Sequence, residues 1–372
     1  MFHSLYIHIP FCERKCFYCD FATSSFKLEK VFPYLEVLEK ELAYYASCWK
    51  VPPLRTIYLG GGTPSLLSID AFAYLFRVIR THFALDDLVE WSVESSPGSL
   101  DLEKLRFLKQ EGVNRLSLGV QSFQDGELEK LGRTHSASEA VRTYEQIREV
   151  GFENVSLDLI FAIPGQTQKS WEETLSQAIS LKPDHFSLYN LILEEGTLFY
   201  RRHQRGELSL PGEDAEFFMY QTAREQLEAA GFKQYEISSF SVDGKQCRHN
   251  LAYWVSASYL GVGVGAHSFV GGERFANRRA WRAYMADWKN KEFITPLSRE
   301  EEMKETLFMG FRLLSGVSKR AFLERFHVPI KAAFPKEIPE LLLTGLLEEN
   351  GERFYLSPKG VYLGNVVFEA FA

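Results

Sequence analysis

Cys12-Glu13-Arg14-Lys15-Cys16-Phe17-Tyr18-Cys19 sets three thiols within one short loop. The spacing C-x3-C-x2-C delivers three soft ligands to a single site. A structural zinc site is closed by four protein ligands, and a disulfide framework uses even counts. A cubane iron–sulfur cluster held by three thiolates keeps one iron open for another ligand, and Cys-rich loops of this kind hold such clusters. The loop therefore points to an iron–sulfur site. A zinc ion completed by His8 or Cys48, and three unliganded thiols, are the plainer readings of the same residues.

Working outward, the two remaining cysteines, Cys48 and Cys247, are scattered. Thiols crowded into one loop suit a reducing compartment better than a secreted disulfide scaffold, so a cytoplasmic location is expected. The stretch Met1-Phe2-His3-Ser4-Leu5-Tyr6-Ile7-His8-Ile9-Pro10 lacks the basic and apolar regions of a signal peptide. No apolar run is long enough to span a bilayer. The chain has 372 residues, 45% of them hydrophobic, which leaves room for two or three domains. Its net charge of −7 argues against nucleic acid as a main partner, because neutralising phosphates needs a basic face.

Residues 1–195 alternate strand and helix. β-rich runs stand at Leu5–Pro10, Thr56–Leu59, Glu90–Glu94, Arg115–Val120, Asn154–Ile160 and His185–Leu191. Helical spacing fills the gaps at Val31–Trp49, Ile69–Phe83, Leu102–Glu111, Ala137–Val150 and Ser170–Ser180. Repeated βα units demand a parallel sheet with helices outside. Six units are too few for a closed eight-stranded barrel, so a partial (β/α)6 barrel and an open doubly wound sheet both fit. From about residue 196 the rhythm changes. One long helix is expected over Glu213–Ala230, then strands at Tyr235–Phe240 and Tyr259–Val264 and a helix at Ala280–Trp288. Pro296 and the charged run Arg299–Lys304 read as a linker. Residues 298–372 read as helix, helix, helix, short strand, helix, a winged-helix-like module whose Glu348 and Glu349 disfavour DNA. The expected domains are 1–195, 196–297 and 298–372.

Polar groups mark the strand ends. Glu94 and Gln121 close two strands, and Asp158 sits inside the apolar run Leu157-Asp158-Leu159. A buried carboxylate is costly without a partner, so Asp158 either meets a ligand or is a structural acid bonded to loop amides. Gly60-Gly61-Gly62-Thr63-Pro64 follows a strand directly. Consecutive glycines let backbone approach a ligand closely, and their N–H groups bind anions. The run is neither the G-x-G-x-x-G dinucleotide fingerprint nor a P-loop.

Cluster loop, six βα units and strand-end glycines together resemble the radical S-adenosylmethionine (SAM) superfamily. Leu5-Tyr6-Ile7-His8-Ile9-Pro10-Phe11-Cys12, Gly119-Val120-Gln121-Ser122, Leu131-Gly132-Arg133-Thr134-His135 and Asp158-Leu159-Ile160-Phe161-Ala162-Ile163-Pro164-Gly165 look like its oxygen-independent coproporphyrinogen III oxidase group. Arg248-His249-Asn250-Leu251-Ala252-Tyr253-Trp254 and Tyr259–His267 extend that likeness to about residue 270, and the C-terminal module carries it on. The fold this implies is α/β: a partial (β/α)6 TIM-type barrel with a small α+β extension and a C-terminal winged-helix-like domain.

The resemblance implies a 4Fe–4S cluster on Cys12, Cys16 and Cys19, with SAM on the open iron. Tyr18 matches the adenine-contacting position, and Gly61 and Gly62 the methionine end. Tyr6, Gly61 and Glu94 match positions that bind the cluster-bound SAM. Gly62, Thr63, Gln121, Arg133 and Asp158 match positions that bind a second SAM in the group's oxidases. Ser96, Ala162 and Glu195 depart from the residues common in relatives, which bears on pocket shape. The oxidases carry a longer region before the cluster loop; with eleven residues before Cys12, the haem-chaperone branch of the group is expected. That implies haem or a porphyrin as ligand, a haem-acceptor protein and a flavodoxin-type electron donor. The competing expectation is an enzyme that converts two propionates of coproporphyrinogen III to vinyl groups without oxygen. No residue is singled out as catalytic.

A haem carrier needs an axial ligand, an apolar slot and cations for propionates. No C-x-x-C-H motif is present, so c-type attachment is not indicated. Cys247-Arg248-His249-Asn250 with Tyr253 and Trp254 combines thiol, imidazole, cation and aromatic faces. His249 is accordingly the first candidate ligand and His267 the second, the plainer reading being that His249 and Asn250 cap a helix over core aromatics. Arg201, Arg202 and Arg205 either meet propionates or form a solvated face.

Overall fold

The computed structural model describes all 372 residues. Six parallel strands form its centre: β1 (Ser4–Ile9), β2 (Thr56–Gly61), β3 (Glu90–Ser95), β4 (Arg115–Gln121), β5 (Val155–Phe161) and β6 (His185–Asn190). Helices α1 (Leu28–Cys48), α2 (Ile69–His82), α3 (Leu102–Gln110), α4 (Asp125–Leu131), α5 (Ala137–Glu149) and α6 (Gln168–Ser180) join them. Apart from α4, which the sequence reading did not anticipate, strands and helices fall within a helical turn of the spans read from sequence. Ser68, Asp101, Ser136 and Thr167 accept backbone N–H groups at the starts of α2, α3, α5 and α6, which fixes where each helix begins.

Alternate strand residues face opposite sides. One set is apolar and buried: Leu5 and Ile7, Ile57 and Leu59, Trp91 and Val93, Leu116 and Leu118, Leu157 and Leu159, Phe186 and Leu188. The other set is polar, and the register lays it row against row. Tyr6 pairs with Tyr58, Thr56 with Glu90, Ser92 with Arg115, Glu94 with Ser117, and Gly119 with Asp158. The barrel interior is therefore polar, and it opens at the C-terminal strand ends, where barrels of this type carry their sites.

The next segment adds α7 (Leu198–Gln204), α8 (Glu213–Ala229), β7 (Lys233–Glu236), β8 (Ser239–Ser241), α9 (Arg248–Trp254), β9 (Tyr259–Val262), β10 (His267–Val270), β11 (Glu273–Asn277), α10 (Trp281–Ala286) and β12 (Lys291–Pro296). Its strands join the central sheet at both edges, giving one 12-stranded sheet in the order β12-β11-β10-β9-β1-β2-β3-β4-β5-β6-β8-β7. Three sequence expectations are corrected. The single strand at Tyr235–Phe240 is the antiparallel hairpin β7–β8. Pro296 is no linker residue: it ends edge strand β12 opposite Glu273, where a missing N–H is tolerated. The charged run opens α11 (Arg299–Gly310) behind a Ser298–Glu301 capping box, with acidic residues at the favourable end of the helix dipole.

Beyond α11, β13 (Val317–Ser318), β14 (Leu347–Glu349) and β15 (Arg353–Leu356) form a small antiparallel sheet in the order β13-β15-β14. Helices α12 (Lys319–Phe326), α13 (Ile330–Ala333) and α14 (Glu337–Leu343) lie between its first two strands. The wing is thus a hairpin, and the module has three strands where one was expected. No helix is long and apolar enough to cross a membrane.

Glu41 of α1 ties the added strands to the barrel. It is fully buried and accepts hydrogen bonds from the Gly263 amide (2.9 Å), Asn277 Nδ2 (2.8 Å), Tyr284 Oη (2.7 Å) and Lys291 Nζ (3.3 Å). Removing one partner of a buried pair strands the other charge. Glu41→Ala is therefore expected to lower unfolding free energy by about 3–5 kcal/mol in urea titration; a change within about 0.5 kcal/mol, the size of an ordinary surface substitution, would refute this anchoring role.

Candidate cofactor site at the open end of the barrel

The C-terminal strand ends enclose a cleft of about 350 Å³ lined by Cys12, Cys16 and Cys19 on one side and by Glu94, Gln121, Arg133 and Asp158 on the other. The cysteine loop is stapled to the barrel through backbone. Phe17 N donates to Leu131 O (3.0 Å), Phe199 N to Phe17 O (3.0 Å), and Phe26 N to Cys12 O (2.8 Å). All three thiols remain partly exposed and free of disulfides. Burial pushes the Cys12 thiol up to about 11, and Cys16 and Cys19 add to the rise while Thr63 and Arg133 oppose it. Burial raises Cys19 as well, again with help from Cys16. Three adjacent thiolates need a positive centre between them, which is the condition a metal cluster meets.

The residues present fit such a group. Arg133 Nη1 lies 3.5 Å from Cys16 Sγ and Nη2 donates to Ser96 Oγ (3.0 Å) and Gly119 O (2.7 Å). Its buried Nε has no partner in the protein. Neither His8 nor Cys48 completes a zinc site with the thiols. His8 has both ring nitrogens engaged, by Tyr6 Oη (3.0 Å) and Ala22 O (2.8 Å), and neither His8 nor Cys48 lines the cleft. The Ala22 carbonyl requires the proton on Nε2, so Nδ1 accepts from Tyr6. Burial lowers His8 to about 4 and keeps it neutral.

Glu94 anchors the glycine turn. Gly61 N donates to its Oε2 (2.9 Å) and Tyr58 Oη to its Oε1 (2.8 Å). Gly61 has φ of 112°, a conformation open to glycine, and Gly62 lies so near the loop that a Cβ would come within 2.7 Å of Phe11 O. Burial raises Glu94 to about 6, with the hydrogen bonds from Tyr58 and Gly61 pulling it down. Asp158 accepts from Ser117 Oγ (3.0 and 3.1 Å) and Ser156 Oγ (3.1 Å). It is thus held by hydroxyls within the barrel, not by loop amides, and burial is the main cause of its raised pKa. Gln121 lines the same wall with a strained φ of 70°.

Tyr18, Gly61, Gly62, Thr63, Glu94, Gln121, Arg133 and Asp158 all line the cleft. Tyr6 stands behind it, bonded to His8. Sequence reasoning missed Tyr58 and Ser117, which hold Glu94 and Asp158, while Ser96, noted there for pocket shape, holds Arg133. A signal existed: Ser117, Gly119 and Gln121 recur at period two, as do Ser156 and Asp158.

His249 is corrected. It is fully buried at the opposite end of the barrel, with Nδ1 bonded to Thr56 Oγ1 (2.9 Å) and Nε2 to Tyr253 Oη (2.7 Å). Neither nitrogen is free for iron. Residues Cys247–Trp254 plug the barrel floor, where Glu90 accepts from the Arg248 (2.7 Å) and His249 (3.0 Å) amides. Arg202 packs over Phe17 of the cluster loop, 5.5 Å from the ring centroid, and Arg205 pairs with Glu207.

A partial barrel with three thiols and glycine-rich strand ends at its mouth defines a radical SAM protein, and the Radical SAM superfamily model matches residues 6–178. Its cofactors are a 4Fe–4S cluster and SAM. The HemN C-terminal domain model matches residues 297–363. The chain is 42% identical to the heme chaperone HemW of Bacillus subtilis, over 99% of this chain and 98% of that one. It is 37% identical to the Lactococcus lactis heme chaperone HemW, over 99% and 97%. The chain belongs to the HemW family. Among solved structures, the coproporphyrinogen III oxidase HemN of Escherichia coli superposes with a TM-score of 0.87, covering 99% of this chain and 89% of that one at 23% identity, a likeness of fold.

Glu94 is expected to titrate near pH 6 by NMR of carboxyl-labelled protein, and Tyr58→Phe to move that midpoint up, because the lost hydrogen bond favoured the charged form. As the folded value lies above the ordinary 4.5, this group's contribution to stability declines as pH rises from 4.5 through 6. An unchanged or lower midpoint in Tyr58→Phe would contradict the geometry.

Proposed function

We propose that this protein is a haem chaperone that binds haem and passes it to an acceptor protein, while carrying SAM on a three-cysteine 4Fe–4S cluster. Its full-length kinship with heme chaperones carries this reading. Cys12, Cys16 and Cys19 would hold the cluster, leaving one iron for SAM. When bound, the pair supplies one-electron cleavage of SAM to a carbon radical. Glu94 and the Gly61–Thr63 turn would take the methionine end, and an ammonium beside Glu94 would restore its charged form. Tyr18 would face the adenine, with Tyr6 fixing His8 beneath the turn. Gln121, Arg133 and Asp158 form a second polar wall that a further SAM or a substrate would meet. The proposed setting is the cytoplasm, where thiols stay reduced, and the proposed electron donor is a flavodoxin-type protein.

The test is an anaerobic haem titration of cluster-reconstituted protein with SAM and dithionite, with coproporphyrinogen III added and tetrapyrrole products analysed alongside. Stoichiometric haem binding without decarboxylated product is expected. Turnover to protoporphyrinogen without tight haem binding would overturn the chaperone reading in favour of the oxidase. Cys12→Ala, Cys16→Ala and Cys19→Ala should each abolish the 4Fe–4S electron paramagnetic resonance signal; its persistence in all three would refute the ligand assignment.

A further inference from the structure

Asp158 lines the cleft, yet the hydroxyls that donate to it stand one pleat nearer the barrel floor. Ser117 and Ser156 lie opposite each other across β4–β5, as Gly119 and Asp158 do one step further on. Ser117 Oγ reaches both carboxylate oxygens (3.1 and 3.0 Å), and Ser156 Oγ reaches Oδ1 (3.1 Å). Behind Ser156 the contacts continue in series. Its Oγ lies 2.8 Å from His185 Nδ1, and His185 Nε2 lies 2.8 Å from Tyr235 Oη. The Cys247 amide donates to that phenol oxygen (3.2 Å). Ser156 and His185 are fully buried. The series thus joins hairpin strand β7 and the floor plug to a carboxylate of the cleft.

Counting protons fixes the direction of the series. Burial and the Arg115 charge keep His185 neutral, and a neutral imidazole donates from one nitrogen and accepts at the other. With the proton on Nδ1, Tyr235 donates to Nε2, Nδ1–H donates to Ser156, and Ser156 gives its single proton to Asp158. Every polar hydrogen in the row is then used. With the proton on Nε2, the Tyr235 hydroxyl has no acceptor in the protein, and Ser156 donates to Nδ1 at the expense of Asp158. Leaving a buried hydrogen bond unmade is costly, so the geometry selects the first arrangement. Ser187 Oγ, 3.4 Å from Ser156 Oγ, fits it as a second donor to Ser156. Hydrogen bonds in a chain polarise one another, and here each donor points toward Asp158.

We propose that His185 and Tyr235 are positioning residues for Asp158: they commit Ser156 to donate, hold the carboxylate as an acceptor, and so make this part of the cleft select a ligand that presents a cationic or hydrogen-bond-donating group. The inference rests on the reading that the wall of Gln121, Arg133 and Asp158 meets a ligand, and it assigns what that ligand must offer. Direction matters because a carboxyl group plays either part. Ionised, Asp158 accepts; protonated, it would offer an O–H and favour an acceptor instead. Burial pushes it toward the protonated form, and the Ser187, Ser117 and Ser156 hydroxyls, with the Arg115 charge, oppose that push. Glu94 of β3, Tyr58 of β2 and Tyr189 of β6 are the other titratable groups that feel its charge, and none of them is a cation. Arg115 is buried with Nε and Nη1 unpartnered. It acts on His185 and Asp158 through its field alone, so the hydrogen bonds that orient the carboxylate come from the hydroxyls.

The experiment reads full-length, cluster-reconstituted protein by NMR, with ring-15N histidine and carboxyl-13C aspartate labels; His185→Gln and Asp158→Asn assign the two signals. In wild type the His185 ring should carry its proton on Nδ1 across about pH 6–8. Tyr235→Phe removes one hydroxyl and keeps the ring. It should shift the His185 proton toward Nε2 and raise the Asp158 titration midpoint. Ser156→Ala should raise that midpoint further, weakening the acid at least about threefold, because the lost hydrogen bond favoured the charged form. Cluster absorbance should equal wild type in both variants. A wild-type proton on Nε2 would overturn the proposal, since Ser156 would then serve His185, and so would an Asp158 midpoint unmoved in both variants. If the series behaves as expected but Asp158→Asn binds SAM and haem as tightly as wild type, the reading that this wall meets a ligand falls instead.

Discussion

The polar barrel interior is the constraint on which the structure depends. Each central strand spends its outward residues on the helix-packed core and its inward ones on Ser, Thr, Tyr, Glu, Arg and Asp. Buried polar groups cost free energy unless paired, so the interior has to supply its own partners. It does so in rungs: Tyr58 to Glu94, Ser117 and Ser156 to Asp158, and Ser156 to His185 at 2.8 Å. Such a lumen cannot be filled by stacked Val and Leu as in a closed eight-stranded barrel. It needs a floor, and the Cys247–Trp254 segment provides one by setting the Arg248 and His249 amides on Glu90. The same polarity, left uncovered at the other end, is what a charged cofactor can use.

That floor explains why the C-terminal helices matter to a site at the opposite mouth. Tyr58 stacks on His249 at 5.1 Å between ring centroids while donating to Glu94. His249 in turn holds Tyr253, Trp254 follows, and Arg312 beyond α11 lies over the Trp254 ring at 4.4 Å. Contact therefore runs unbroken from the C-terminal region through the plug to the carboxylate at the glycine turn. The links are ring stacking, a short hydrogen bond and a cation–π contact, and close-packed neighbours resist independent movement.

The parts legible in sequence were those with local signals. Parallel strands buried on their outer faces announced themselves as short β-rich runs, and the thiol loop and glycine turn are contiguous. Glu94, Gln121 and Asp158 stood out as polar residues in apolar company. The antiparallel strands β10 to β12 did not. β12 is nearly all exposed and carries Lys291, Glu292 and Pro296, so no alternation marked it; only pairing with β11 makes it a strand. His249 failed for the same reason. Its neighbours in sequence resemble a haem site, but its ring is spent on Thr56, 193 positions earlier, and Tyr253. A motif states which side chains are near one another along the chain, and long-range register decides which of their atoms remain free.

The cysteine loop shows the converse case, in which long-range register leaves atoms free on purpose. The backbone of the loop is satisfied from three directions, by Leu131, by Phe199 and by Phe26 just after the short Ser24–Ser25 strand. Phe17 is clamped between Arg14 at 5.0 Å and Arg202 at 5.5 Å. With main chain and aromatic side chain both committed, the thiols carry no structural duty and stay partly exposed toward the cleft. The partnerless Nε of Arg133, whose Nη1 lies beside Cys16, is a cost that the protein alone does not offset. An anionic group held over the thiols would offer Arg133 an acceptor. The loop is thus held by main-chain and aromatic contacts that do not depend on its thiols.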